Sequence, residues 1–164
     1  MDTEFKEPFL IILTGPPGSG KSTVTKILKE VIPSFEVAST DNIIEHLCDQ
    51  EGITYAEGFT KFIGKATSEY NKKLSEYISN KTNVVVDRTN MNEKGRQKLL
   101  NSFSGYNRYA IAFELDDNEL NRRNEKRANE TGKTIPPHVM ESMKESYQRP
   151  SVEEGFIEVV IIDK

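Results

Sequence analysis

One cysteine, two histidines and no tryptophan stand in a chain of 164 residues. The lone Cys48 has no internal partner for a disulfide, and so few Cys and His residues make no cluster with zinc-ligand spacing. A reducing setting suits such a chain, so a cytoplasmic protein is the expectation. Basic residues are not in excess either: 22 Lys and Arg against 26 Asp and Glu give a net charge of −4. An acidic body excludes wholesale electrostatic coating of nucleic acid, while leaving room for a local basic pocket. Long apolar runs are also missing. Phe9 to Leu13 is far too short for a signal-peptide core or a membrane span. With no repeat, low-complexity tract or linker, the length suits a single domain over residues 1–164.

What is present is an alternation of short apolar runs and amphipathic stretches, which predicts an α/β domain with a parallel sheet. Five runs read as buried strands: Phe9 to Leu13, Phe35 to Ala38, Asn83 to Val86, Tyr109 to Phe113 and Glu158 to Ile162. They lack polar alternation, as expected when helices cover both faces of the sheet. Between them, Phe59, Phe62, Ile63, Ala66, Tyr70, Leu74 and Ile78 recur at helical spacing, and the plain reading of that stripe is core. Residues 117–137 differ. Arg122, Arg123, Glu125, Lys126 and Arg127 crowd a stretch with few apolar anchors, and Gly132, Pro136 and Pro137 then break it. A charged helix, a turn and a second helix near Pro136 are expected there, forming either a solvated surface or a lid.

Gly15-Pro16-Pro17-Gly18-Ser19-Gly20-Lys21-Ser22 satisfies the phosphate-loop pattern G-x-x-x-x-G-K-[ST] in full, with Thr23 following in the helix it opens. Each part has a physical task. Glycines let backbone N–H groups turn inward toward phosphate oxygens. A helix beginning near Lys21 adds its positive end, Lys21 adds a cation, and the Ser22 hydroxyl suits Mg²⁺, a hard ion that prefers oxygen. A chance glycine-rich turn is the alternative. The apolar run before Gly15 and the helix-compatible Val24 to Val31 after it count against chance. ATP with magnesium is the expected ligand, because a guanine-reading N-K-x-D is absent: Asn80-Lys81-Thr82-Asn83 lacks the final Asp.

Three further groups are candidates. Asp41 follows the second strand, and in a parallel sheet ligands bind beyond the carboxyl ends of strands. A carboxylate there can accept a hydroxyl proton, or Asp41 can simply cap the next helix, a role that Ser39 or Asn42 could also fill. Asp87-Arg88-Thr89-Asn90 follows the third run, on the same edge. Asp87 can hold a metal-bound water, Arg88 can meet a substrate phosphate, and Thr89 and Asn90 can contact ligand or form a turn and cap. Arg127, with Arg123 and Lys126, fits a cationic lid that offsets charge on transferring phosphate.

These blocks together resemble the kinase domain of 5′-hydroxyl polynucleotide kinases of the phage and animal end-healing type. Beyond the loop, the resemblance rests on Ser39-Thr40-Asp41 and on Asp87-Arg88-Thr89-Asn90. It extends to the run Arg122 to Arg127 before Ile135-Pro136, and to the tail from Tyr147 to Phe156. It implies a three-layer P-loop kinase fold with a helical lid. It implies that Lys21 and Ser22 serve phosphate and magnesium, that Asp41 is the general base, and that Arg127 contacts the transferred phosphate. The implied partner is a DNA or RNA substrate. One position departs: where the family often has an arginine three residues after the base, to contact the phosphate beside the acceptor hydroxyl, this chain has Ile44. Arg88 is the expected substitute. Alternative acceptors are a hydroxymethylated pyrimidine in DNA, a sugar or a nucleoside, and a nucleotide-binding module without turnover is the non-enzyme alternative.

Overall fold

In the computed structural model of the chain, the described residues are 5–32 and 34–163, so the ends of the expected domain, residues 1–4 and 164, lie outside them. Five strands form one sheet: β1 (Phe9–Thr14), β2 (Glu36–Ala38), β3 (Val84–Asp87), β4 (Asn107–Phe113) and β5 (Glu158–Ile162). All neighbours are parallel and the order is β2-β3-β1-β4-β5. The expected runs are these strands, shifted by one or two residues at some ends.

Helices cover both faces, which is why the central strands are apolar throughout. Leu10 and Ile12 of β1 point into one core with Tyr70 and Leu74 of α3 (Tyr55–Ser79) and Leu100 of α4 (Glu93–Ser102). Phe9, Ile11 and Leu13 point into the other, packed by Val24 and Leu28 of α1 (Lys21–Val31). Edge strand β5 is only partly covered, contrary to the expectation for that run: Val160 stays exposed because β5 has a neighbour on one side only.

The stripe of α3 is also narrower than expected. Phe62, Ala66, Tyr70 and Leu74 are buried, but Phe59 and Ile63 remain 44% and 36% exposed. The reason is α2 (Thr40–Glu51), which lies against α3 and takes an i, i+4 seam of it: Ile44 and Cys48 pack on Phe62 and Ala66. The approach is so close at Gly58 that a Cβ there would stand 2.0 Å from Cys48 Sγ. Cys48 is thus the buried thiol its apolar surroundings predicted.

Register sets the site. Leu13 pairs with Asp87, so β3 ends level with the start of the glycine-rich loop. Ala38 pairs with Val86, so Ser39 leaves the sheet beside the same edge. The charged stretch forms α5 (Asp117–Thr131), ended by Gly132 in the left-handed region, and α6 (Pro137–Ser146) follows with proline in its first turn. Among the described residues, no helix is long and apolar enough to cross a membrane.

Candidate functional site

The loop from Gly15 to Gly20 joins β1 to α1 and is held from three directions. Its start is tied to the neighbouring strand end, where Gly15 N–H donates to the Thr89 carbonyl at 2.9 Å. Its tip is tied to α5: Asn124 Nδ2 donates to the Pro17 carbonyl at 3.0 Å, and Arg123 Nη1 donates to the Ser19 carbonyl at 3.4 Å. Gly18 and Gly20 have φ of 83° and 103°, conformations that glycine adopts without the penalty a side chain brings. At Gly18 a side chain would also collide, since its Cβ would lie 2.5 Å from Asn124 Oδ1.

Lys21 opens α1 and is almost fully buried. Its ammonium donates to the carbonyls of Gly15 and Pro16 at 2.8 and 2.9 Å, spanning the mouth of the loop. Burial lowers its pKa from 10.5 to about 8; Arg127 pushes it the same way, and Asp87 and Asp41 oppose. The next residue, Ser22, donates to Asp87 Oδ2 at 3.1 Å. Burial raises the Asp87 pKa, against the pull of Lys21 and of the Ser22 hydrogen bond. A hydroxyl and a carboxylate in contact at the foot of the loop are a hard-oxygen pair, and their chemistry fits a magnesium ion. Among the described residues, no group of three or more His, Cys, Asp or Glu could hold a metal by itself.

Across the cleft, the cap of α2 is Ser39, whose hydroxyl accepts from Asn42 N–H at 3.2 Å. Asp41 is therefore not the cap. Its carboxylate stands in the first turn of α2 and takes a hydrogen bond from the Tyr55 hydroxyl at 2.5 Å. The same ring carries the Lys133 ammonium 4.7 Å from its centroid, and that ammonium is ion-paired with Glu45. Burial lowers the Lys133 pKa, opposed by Asp41.

One cleft of about 790 Å³ brings the two sides together. Pro17 to Thr23, Asp41, Asp87, Arg88, Thr89, Arg123 and Arg127 all line it. Three expected site residues do not. Gly15 lies beneath the loop, with its place for a Cβ filled by Ser19 Oγ and Phe113. Pro16 faces a neighbouring cavity against Phe113 and Tyr147. Asn90, at φ 45°, spends its side-chain amide on the carbonyls of Leu13 at 2.8 Å and Arg88 at 3.3 Å. Asn90 thus braces the loop instead of facing the cleft, and α4 is capped not by it or Thr89 but by Asn92. Arg122 and Arg123 both bind Glu119, Arg123 at 2.8 Å, and their hydrogen bonds, that of Arg122 foremost, lower the Glu119 pKa to about 2. Arg127 has no ion-pair partner among the described residues and faces the cleft.

A buried pair supports this edge; the resemblance marked the tail that holds Glu154 without assigning it a role, and nothing in the sequence marked Arg96. Arg96 of α4 binds Glu154 through Nε and Nη2 at 2.9 and 3.1 Å, with side-chain exposures of 0% and 3%. Its Nη1 holds the carbonyls of Asn90 and Met91 at 3.0 and 3.1 Å. Every nitrogen thus finds an acceptor, and four of the five N–H donors are used, which satisfies a buried guanidinium well. The tail motif around Glu154 is structural: it fixes the segment after Asp87. Ile44 is equally structural, fully buried against α3 and out of reach of any substrate.

Comparison with known proteins follows this geometry. Residues 10–150 match the AAA domain family. A cytidylate kinase of Sulfurisphaera tokodaii is 34% identical over 82 residues, a segment that spans 48% of this chain and 44% of that protein. This chain therefore aligns with less than half of that relative's length. A chain in the structure of the Pnkp1/Rnl/Hen1 RNA repair complex superposes with a TM-score of 0.66 at 26% identity, over 90% of this chain and 48% of that one. A candidate kinase of Chloroflexus aurantiacus gives a TM-score of 0.71 at 18% identity, over 98% of this chain and 87% of that one. The fold is that of a P-loop kinase-like α/β domain.

Proposed function

We propose that this chain, which belongs to the AAA domain family, is an ATP- and magnesium-dependent phosphotransferase whose acceptor is the 5′-hydroxyl end of DNA or RNA. The observation that carries the reading is the placement of a carboxylate, Asp41, across one cleft from Lys21, the Ser22–Asp87 pair and Arg127. A site built only to bind nucleotide has no use for a carboxylate facing the terminal phosphate.

The loop N–H groups and the N-terminal end of α1 hold the donor phosphates, and Lys21 exchanges its two carbonyl contacts for phosphate oxygens. Ser22 and Asp87 would hold magnesium, which would offset negative charge on the donor phosphates. Asp41 orients the acceptor hydroxyl and takes its proton as that oxygen bonds to the γ-phosphorus and the bond to the β–γ bridging oxygen breaks, releasing ADP. Arg127 offsets charge on the equatorial oxygens.

The acceptor reading draws on room and charge. Ser39 and Asn42 line both the cleft and a second cavity of about 480 Å³ along α2 and α3. Arg88 and Thr89 line both the cleft and a third. A strand end can thus reach Asp41 from a site open on two sides. With Ile44 buried, the contact to the acceptor's own phosphate falls to Arg88. It is exposed at the cleft edge, with its guanidinium 4.8 Å from the centroid of the Tyr70 ring. The match to a cytidylate kinase favours a second reading, a free nucleotide as acceptor.

The test is transfer of labelled γ-phosphate from ATP with magnesium to four acceptors in parallel. These are a 5′-hydroxyl oligonucleotide, a 5′-phosphorylated duplex with hydroxymethylated pyrimidines, nucleoside monophosphates, and a set of sugars and nucleosides. Label on the first is expected. Label only on another assigns the acceptor to that class and overturns the end-directed reading.

A further inference from the structure

We infer that Tyr55 is a positioning residue with two arms: its hydroxyl fixes the Asp41 base, and its ring seats Lys133 as the lid-borne contact for the acceptor's phosphate. The inference rests on the reading of Asp41 above and extends it to residues that no sequence motif marked.

Tyr55 is the first residue of α3, with Thr54 as the cap, so helix geometry and not a loose loop sets its direction. It is half-buried and donates to one oxygen of Asp41, Oδ1, at 2.5 Å. Burial and the neighbouring carboxylate raise its pKa, so the phenol remains a donor at any working pH. With Oδ1 engaged, the other carboxylate oxygen is left to receive a proton, and the rotation of the carboxylate is fixed. A base held in one rotamer is what in-line transfer needs, since small misplacements of reacting groups cost rate steeply.

The second arm comes from the chain that follows α5. Lys133 stands one residue past Gly132 and lines the cleft, with its ammonium over the Tyr55 ring and paired with Glu45 of α2. Its side chain is 13% exposed and Glu45 43%. A cation carried by a half-exposed carboxylate and an aromatic face can exchange the carboxylate for a phosphate dianion while keeping the ring contact. It reaches the acceptor from the lid side, opposite Arg88. Together the two arms join the trailing end of the lid to the base, so seating of an acceptor phosphate and alignment of Asp41 occur at one side chain.

Tyr55→Phe keeps the ring and removes the hydroxyl. It should lower kcat about tenfold or more, with KM for ATP and for the acceptor little changed. Lys133→Met should raise the acceptor KM several-fold with kcat nearly kept, and only for acceptors that bear a phosphate beside the hydroxyl. Tyr55→Leu should do both. Wild-type kcat in Tyr55→Phe, measured where Asp41→Asn is inactive, would overturn the inference and leave the base assignment standing. Activity retained in Asp41→Asn would instead remove the reading beneath it. A uniform loss across kcat, acceptor KM and ATP KM, with a lowered melting temperature, would show Tyr55 to be structural only and would equally overturn it.

Discussion

The loop from Gly15 to Ser22 is held through its main chain: carbonyls of Gly15, Pro16, Pro17 and Ser19 each take a side-chain donor, and Gly15 N–H is bonded to the neighbouring strand end. Asp41 is instead surrounded by side chains: the Tyr55 phenol bonded to it, and the Lys133 ammonium, the Glu45 carboxylate and Arg88 lining the same cleft. The donor half is a fixed cradle whose shape depends on backbone conformation. The acceptor half is an arrangement of exchangeable partners. A phosphate donor common to many enzymes can be served by the first, while the choice of acceptor is open to revision through the second without disturbing the fold.

That contrast can be broken by experiment. After loss of the Asp41 carboxylate, Arg127→Ala should have the largest effect, a loss of about 10³-fold in kcat, if its guanidinium offsets transition-state charge as proposed. ATP binding should persist, as Arg127 has no structural partner among the described residues; an unchanged kcat in single-turnover assays would detach the lid from the chemistry. Lys21→Met should lower kcat by about 10²- to 10³-fold, the range for losing a preorganised charge at the reacting group, and weaken ATP binding as well. Donor and acceptor halves then separate cleanly in steady-state kinetics.

Arg96→Met probes the brace beneath the donor half. It leaves the Glu154 carboxylate buried without its cation, with only the Ser151 N–H still donating to it, and the Asn90 carbonyl without a donor, a change expected to cost about 3–5 kcal/mol. Thermal melting should show it, and kcat should fall too because the segment after Asp87 loses its tether. Arg88→Ala sharpens the other side: stability should change by about 0.5 kcal/mol or less, and the acceptor KM should rise several-fold. An unchanged acceptor KM would count against Arg88 as the substitute for the missing arginine at Ile44.

A pH dependence probes the donor half without any substrate. Lys21 has a folded pKa of about 8, below its ordinary 10.5. Between those values the unfolded chain holds a proton that the folded chain has released, so stability of the ligand-free protein rises with pH across that window. Melting temperatures of the wild type and Lys21→Met, measured from pH 8 to 10.5, should converge or cross as that penalty is relieved. Parallel curves would place the Lys21 proton elsewhere.

The two halves were also unequally legible in the sequence. The cradle is encoded in consecutive residues, and strand runs with helices between them place it at the sheet edge, so motif and fold could be read together. Asp41 could be located from the strand before it, but which residue caps α2 stayed open until Ser39 was seen to fill the cap. The supporting contacts lie far apart in the chain. Arg96 and Glu154 are 58 residues apart, Asn124 and Pro17 are 107, and Tyr55 and Asp41 are 14. No periodicity or local pattern joins such pairs; only helix packing does. For Asn90 the ligand and turn readings both stood for the same reason, since whether its amide meets ligand or backbone is decided by the turn it occupies. Phe59 and Ile63 fit the helical stripe by spacing, and only the position of α2 determines that they stay outside the core.

The most direct test of the central claim is to measure ATP affinity and γ-phosphate transfer to a 5′-hydroxyl oligonucleotide in the same preparations of wild type and Asp41→Asn. ATP affinity kept within about twofold, with transfer reduced by about 10²- to 10⁴-fold as for loss of a general base, is the predicted result. Transfer in Asp41→Asn equal to that of the wild type would contradict it.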